Sequence, residues 1–387
     1  MRLPRQRLSR IGYGGLLTVG SLIFSFLLAE GGLRVWKPLD PEMAVHVRRL
    51  PDRLLGWRLE PNLEMVYQRE GVAVHVRTNS RGFRDIDHAE AGRHFRVVIL
   101  GDSFMEAIQG DLAMAFPRLL QEHLEQARQE SVESINLGMS GFGTVQESLA
   151  FEAEGARFRP DLVLLGFYLH NDLTDNSREL EEAIRRRPVQ RPYLDSKGGL
   201  TPPDFEQATR AYDANRRELT WRLWGLFQSA RTAANSSNRD RRDPAFVAYS
   251  CAETPPLTRA WALTGRALDR LKAAVDGTGG ALGVFSVPSQ LEVDATYRAA
   301  REPRLSNSLC FDQPPGWNRL EDLLRSRDIP YIDLRPAFHQ GEKATPGADL
   351  YWENDDHWNT AGHELASTTV ARAVAAWKLP RRTAPNP

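Results

Sequence analysis

From Arg96 onward, short apolar runs alternate with longer segments whose apolar positions recur at helical spacing. Val97 to Leu100, Ser134 to Leu137 and Leu162 to Tyr168 read as strands, separated by helices near Phe116 to Arg128 and Val145 to Arg157. The alternation resumes with a helix near Leu257 to Val275, a strand Leu282 to Val287, a helix near Trp317 to Arg327, a strand Tyr331 to Leu334 and a last helix from about Ala361 to Trp377. Strands separated by helices imply right-handed crossovers and a parallel sheet covered on both faces, an α/β fold. Between the two series lies an arginine-rich insertion, about residues 175–256. Its runs Arg185-Arg186-Arg187 and Arg239-Asp240-Arg241-Arg242-Asp243 read as solvated helix faces or loops in preference to a lid.

The N-terminus has a different pattern. Arg2, Arg5, Arg7 and Arg10 precede Ile11 to Tyr13 and an uncharged apolar run from Gly14 to Ala29. A membrane-crossing helix needs about 20 such residues. The segment reaches that length, and the upstream arginines predict a cytoplasmic N-terminus with everything after Leu33 outside the cytoplasm. An uncleaved anchor is preferred to a signal peptide cut near Ala29-Glu30-Gly31, because the run is long for a signal sequence. Residues 1–33 are thus expected to be a cytoplasmic stub and transmembrane anchor. Residues 34–95, with Leu55-Gly56-Trp57-Arg58 and the alternating Val72-Ala73-Val74-His75-Val76-Arg77, are expected to be an extended lead-in of short strands and turns. Residues 96–380 then hold the main domain.

Composition narrows the partners. The 387 residues are 41% hydrophobic and 26% charged, and 50 basic side chains cancel 50 acidic ones. No net field draws nucleic acid to the protein, so no nucleic-acid partner is expected. Two cysteines, Cys251 and Cys310, either pair in an oxidising compartment or stay free, and no spacing resembles a zinc site. Neither a cofactor nor a metal is called for.

Candidate chemistry gathers at one edge of the expected sheet. The first strand stops at Gly101-Asp102-Ser103. Asn136-Leu137-Gly138-Met139-Ser140-Gly141 and His170-Asn171-Asp172 follow two other strands, and Asp355-Asp356-His357-Trp358 precedes the last helix. A serine hydroxyl becomes a nucleophile when a base takes its proton, and histidine is the base best tuned to neutral pH. Ser103 is therefore the candidate nucleophile, His357 the base and Asp355 the group that orients the imidazole. The amides of Ser103 and Gly141 and the side-chain amide of Asn171 are candidate donors to a tetrahedral oxyanion. Each residue also has a plainer use. Ser103 would cap a helix, Gly138 would serve a tight turn, Asn171 and Asp172 would form a turn pair, and Asp102 would brace its turn through backbone amides. Asp355, Asp356, His357 and His363 would bind a divalent cation only with further carboxylates, so His363 is placed in the packing of the last helix. Trp352 and Trp358 either face a sugar or acyl group or belong to the core.

These four segments, in this order, resemble the SGNH/GDSL hydrolases. The resemblance covers about Arg96 to Lys378, and Thr78-Asn79-Ser80-Arg81-Gly82-Phe83-Arg84-Asp85 resembles a lead-in seen in membrane-anchored bacterial members. It implies a three-layer α/β/α sandwich with esterase or acyl-transfer chemistry on oxygen esters. Two positions depart from the family pattern. Asn354 stands where many members have the aspartate of Asp-x-x-His, and Leu169 stands where a glycine usually precedes the asparagine. The Asp-x-His-Trp arrangement resembles polysaccharide acetylation proteins, which favours Asp355 over Asp356. The resulting expectation is a membrane-anchored, periplasmic serine esterase or acyltransferase acting on acylated carbohydrate, with O-acetyl groups of an envelope or exported polysaccharide as the expected substrate. A lipid esterase or thioesterase, and an inactive carbohydrate-binding assembly component, are the alternatives.

Overall fold

The computed structural model describes residues 5–36, 48–69, 72–90, 92, 94–185, 189–220, 244–301, 308–344, 349–353 and 355–379. Arg2, Arg186, Arg187, the run from Arg239 to Asp243, and Asn354 lie outside the described residues. The chain divides into two units, Met1–Val47 with Thr209–Asp240, and Arg48–Ala208 with Arg241–Pro387. The first contains helix α1 (Arg5–Trp36), within which Gly15–Leu33 has a mean hydropathy of 1.8 over 19 residues. Leu16, Leu17, Leu22 and Phe24 are exposed along it. By length and composition this helix can cross a membrane.

The second unit begins with two antiparallel hairpins, β1 (Arg49–Asp52) with β2 (Gly56–Leu59) and β3 (Glu64–Arg69) with β4 (Val72–Arg77). Asp52 Oδ1 closes the first turn by accepting from the amides of Leu54 and Leu55 at 2.8 and 2.7 Å. In β4 the sequence alternation becomes two faces, with Val74 and Val76 buried and Ala73, His75 and Arg77 exposed. The segment after β4 turns into the body of the same unit. Arg84 is fully buried, and its guanidinium donates to the carbonyls of Glu106 at 3.0 Å, Ala107, and Gly110 at 2.5 Å. Asp85 accepts from the amide of Asn136 at 2.7 Å and from Arg118, and it pairs with His88 at 2.9 Å. Arg84 and Asp85 thereby tie the turn after β4 to the elements that carry the site.

The core is a five-stranded parallel sheet in the order β11-β10-β7-β5-β6, built from β5 (Phe95–Leu100), β6 (Val132–Asn136), β7 (Leu162–Phe167), β10 (Ala281–Ser286) and β11 (Tyr331–Ile332). Strands β5, β7 and β10 are buried almost end to end, so they read in sequence as unbroken apolar runs. Helix α3 (Phe116–Arg128) turns Phe116, Leu119, Leu120 and Leu124 inward, with a proline in its first turn where no amide partner is needed. The C-terminal helix (Thr360–Ala375) starts at Asn359, whose side chain accepts from the amides of Ala361 and Gly362. It packs on α3, and Val370, Ala371 and Val374 join the core. From β5 the chain crosses to β6 on one side and then to β7 on the other. Ligands in such sheets sit at the carboxyl ends of the strands where the order reverses. That point is the end of β5, at Gly101-Asp102-Ser103.

One expected helix differs. Val145 to Arg157 is interrupted, becoming α4 (Thr144–Ala150), a π turn (Phe151–Gly155) and a 3-10 turn (Ala156–Phe158). The insertion contributes helix α6 (Arg178–Arg185), after the short α5 (Leu169–Asp175), and a small hairpin of β8 (Tyr193–Leu194) and β9 (Leu200–Thr201). Cys251 and Cys310 form a disulfide across 59 residues.

Candidate active site

Ser103 is the first residue of a four-residue helix, α2 (Ser103–Glu106), capped by Asp102, whose Oδ1 accepts from the amide of Phe104 at 3.0 Å. The plain capping role falls to Asp102, which leaves the Ser103 hydroxyl free for other chemistry. Ser103 Oγ lies 2.7 Å from His357 Nε2. On the other side of the ring, His357 Nδ1 meets Asp355 Oδ1, which also accepts from the His357 amide at 3.2 Å. Phe104 packs against the imidazole with centroids 4.8 Å apart, limiting its tilt.

Strand geometry separates the two aspartates. Asp355 and His357 are two residues apart in an extended segment, β13 (Asp355–Trp358), which pairs antiparallel with β12 (Tyr351–Trp352), and two-residue spacing puts side chains on one face. Asp355 is buried beside the imidazole. Asp356 points elsewhere, is exposed, and accepts from the Tyr297 hydroxyl. Burial of His357 works against its charged form, but the carboxylates of Asp355, Asp102 and Asp356 outweigh this and raise its pKa above the ordinary histidine value.

Asn171 lies in α5 at the end of β7. Its Nδ2 donates to Asp102 Oδ2 at 2.9 Å, which spends one N–H and leaves the second available. Asp102 is completely buried; desolvation raises its pKa, opposed by the Phe104 amide, His357 and Asn171. Among the described residues no acceptor is found for the backbone N–H of Ser103 or of Gly141. Gly141 sits in the loop after β6 with φ +76°, a left-handed conformation that glycine adopts without strain. Gly138 has a different cause: a Cβ there would stand 2.4 Å from Met105 Cβ, so α2 can pack on the loop only because that position is a glycine. Glu106, at the end of α2, accepts from the Ser140 amide at 3.2 Å and from its hydroxyl.

The remaining sequence candidates lie apart from the serine. His363 is buried, with Nδ1 accepting from the Phe116 amide at 3.3 Å, and its pKa is pushed down to about 3 by desolvation and by the charges of Arg84 and His357. Trp358 is a core residue packed among Phe104, Phe116 and Phe338, whereas Trp352 is half-buried. Sequence reasoning missed Trp57, Glu106 and Arg191, all of which reach the Ser140-Gly141 loop.

Residues 249–386 match a family model described as an SGNH hydrolase-like domain, acetyltransferase AlgX. This C-terminal part of the chain is similar to SGNH hydrolase-like domains. The matched residues include Asp355 and His357 and begin after Ser103 and Asn171 in the chain. No curated protein matches. Solved structures similar to this chain include an acetyl xylan esterase, AlAXEase, at 13% identity over 72% of this chain and 99% of that one, with a TM-score of 0.38. Axe2, an acetylxylan esterase from Geobacillus stearothermophilus, is 12% identical over 76% of this chain and 100% of its own, with a TM-score of 0.40. TesA is 10% identical over 72% and 99%, with a TM-score of 0.36.

Proposed function

We propose that this SGNH hydrolase-like chain is a serine esterase or acyltransferase acting on oxygen esters, with small acyl groups, acetyl above all, on an envelope or exported polysaccharide as its substrate. The observation that carries the reading is the hydrogen-bonded series from Asp355 through His357 to Ser103, with 2.7 Å between imidazole and hydroxyl.

In this reading Ser103 Oγ attacks the ester carbonyl while His357 Nε2 takes the hydroxyl proton. Asp355 holds the tautomer and stabilises the imidazolium. The tetrahedral oxyanion is met by the Ser103 and Gly141 N–H groups and the second N–H of Asn171. Collapse releases the alcohol, which receives the proton back from His357 and leaves Ser103 acylated. Water then completes hydrolysis, or a sugar hydroxyl completes transfer, with His357 again taking the attacking group's proton. The choice of polysaccharide is supported by the Asp-x-His-Trp arrangement and by the family description that matches the C-terminal part. Helix α1 supports membrane attachment through residues 1–33, with residues 34–95 leading into a catalytic domain at residues 96–380. The Cys251–Cys310 disulfide suits an oxidising, periplasmic location.

The test is hydrolysis of p-nitrophenyl esters of increasing chain length, with and without an acetylated or free oligosaccharide. Acetyl is expected to be preferred, and Ser103→Ala is expected to abolish turnover. Equal activity in that variant discards the mechanism. Preference for long acyl chains moves the protein to lipid esters. Failure of a serine-reactive phosphonate to label the folded chain leaves a binding component.

A further inference from the structure

Two residues outside the serine, histidine and aspartate grip the loop that carries Gly141. Trp57, in β2, donates its indole Nε1–H to the Ser140 carbonyl at 3.2 Å. Ser140 C=O and Gly141 N–H are the two ends of one planar peptide group, so a bond that fixes the carbonyl fixes the direction of the N–H. The next peptide is held as well. Arg191 Nη1 donates to the Gly141 carbonyl at 2.8 Å and to Gln146 Oε1 at 2.7 Å. Gly141 has φ +76° and no side chain to resist rotation, and both peptide planes beside it are pinned from outside the loop.

The grips support each other. The Arg191 guanidinium lies 5.1 Å from the centre of the Trp57 ring, and Gln146 Nε2 donates to the Leu55 carbonyl at 2.6 Å. Arg191 is itself buried and held by Glu181 at 2.6 Å and Asp175 at 3.1 Å. A desolvated guanidinium with two carboxylates behind it presents its remaining N–H groups in one fixed direction.

We propose that Trp57 and Arg191 are positioning residues, which set the peptide planes on both sides of Gly141 so that its N–H meets the developing oxyanion. The assignment rests on the esterase reading of Ser103 and gives the β1–β2 hairpin and the insertion a shared part in the reaction. Neither residue is required to touch substrate, so their loss is expected to lower kcat and to leave KM nearly unchanged.

The experiment compares the full chain with Trp57→Phe, which keeps ring bulk and removes the donor, and with Arg191→Lys, which keeps charge and removes the fork. Acetyl ester kinetics are measured together with Tm and the stoichiometry of phosphonate labelling at Ser103. For each variant kcat is expected to fall roughly ten- to a hundredfold, from misplacing one oxyanion donor, with KM within about twofold. The labelling rate is expected to fall in parallel, with the final stoichiometry unchanged. An unchanged kcat in Trp57→Phe overturns the proposal, as does a kcat loss in both variants matched by an equal loss of labelled chains. An inert, unlabelled wild-type chain removes the esterase reading and this assignment with it, whereas a reactive wild type with unaffected variants removes this assignment alone.

Discussion

Asn171 Nδ2 donates to Asp102 Oδ2 at 2.9 Å, so the residue before the candidate nucleophile aims the candidate oxyanion amide. Asp102 also accepts from the Phe104 amide, and a single buried carboxylate therefore couples the turn that presents the serine to the wall that faces it. Asn171→Ala is expected to lower kcat on acetyl esters by about 10²- to 10³-fold, the usual cost of one oxyanion donor, with little change in KM. Asp102→Asn, which weakens the aim and keeps the donor, is expected to cost less. A larger loss in Asp102→Asn than in Asn171→Ala would show that the carboxylate serves the serine turn and that the amide is not its main partner.

Asp355 and Asp356 are neighbours in sequence with opposite surroundings. If Asp355 alone orients His357, Asp355→Asn should drop kcat by about 10⁴-fold, because the amide stabilises the wrong tautomer. Asp356→Asn should stay within about threefold of wild type, since its carboxylate acts on His357 only as a nearby charge. Steady-state kinetics on both variants decide the matter, and equal losses would reject the strand-face argument.

The shared face of Asp355 and His357 follows from the sequence once β13 is taken as extended, although the preference for Asp355 over Asp356 came there from family resemblance. The parallel strands were legible for a related reason: strands buried on both faces are apolar at every position, and β5, β7 and β10 have few polar interruptions. Helix α3 was legible to the residue because its apolar stripe begins at Phe116 and ends near Leu124. The π turn at Phe151–Gly155 was not, since helical spacing continues through it. Nor were Trp57, Arg84 and Arg191. Trp57 meets Ser140 83 positions away, and Arg191 meets Gly141 50 positions away. Arginine reads locally as a solvated side chain. Only the tertiary fold supplies the carbonyls and carboxylates that make its burial tolerable.

His357 acts as a base only when neutral, and its pKa is raised. The acid limb of kcat/KM is therefore expected to have its midpoint above about 6.5, the ordinary value for histidine. Asp355→Asn removes the first of the raising carboxylates and should move that midpoint down in whatever activity remains. A midpoint below the ordinary value would mean that desolvation outweighs the carboxylates.

The Cys251–Cys310 bridge closes a loop across 59 residues. In the chain-entropy picture a loop of that size contributes about 4 kcal/mol by restricting the unfolded chain. The bridge lies beside an aromatic cluster in which Tyr249 and Phe311 are 4.9 Å apart and Phe246 is 5.0 Å from His170, the neighbour of Asn171. Reduction is expected to lower Tm by several degrees and to raise KM more than it lowers kcat, because the aromatic cluster beside the bridge leads to His170 and not to Ser103. Thermal melts and kinetics with and without dithiothreitol check this, and an unchanged Tm after complete reduction contradicts it.

Glu147 is fully buried in α4, and neither of its carboxyl oxygens has a hydrogen-bond partner among the described residues. Desolvation, with the charges of Asp102 and Asp175, raises its pKa well above the carboxylate range. Folding therefore favours the neutral acid at Glu147, which the unfolded chain ionises above about pH 4.3. A pKa raised by folding contributes stability that is complete below the unfolded value and is lost as pH rises toward the folded one, at about 1.4 kcal/mol per pH unit. Glu147→Gln keeps the shape, is neutral in both states, and turns its new N–H groups toward a neighbourhood rich in carboxylates. The variant should therefore melt several degrees higher than wild type at pH 8, and the advantage should shrink as the pH is lowered to 5. Melting curves across that range give the comparison. A variant that is less stable at pH 8 than at pH 5, relative to wild type, would mean that Glu147 is ionised in the fold.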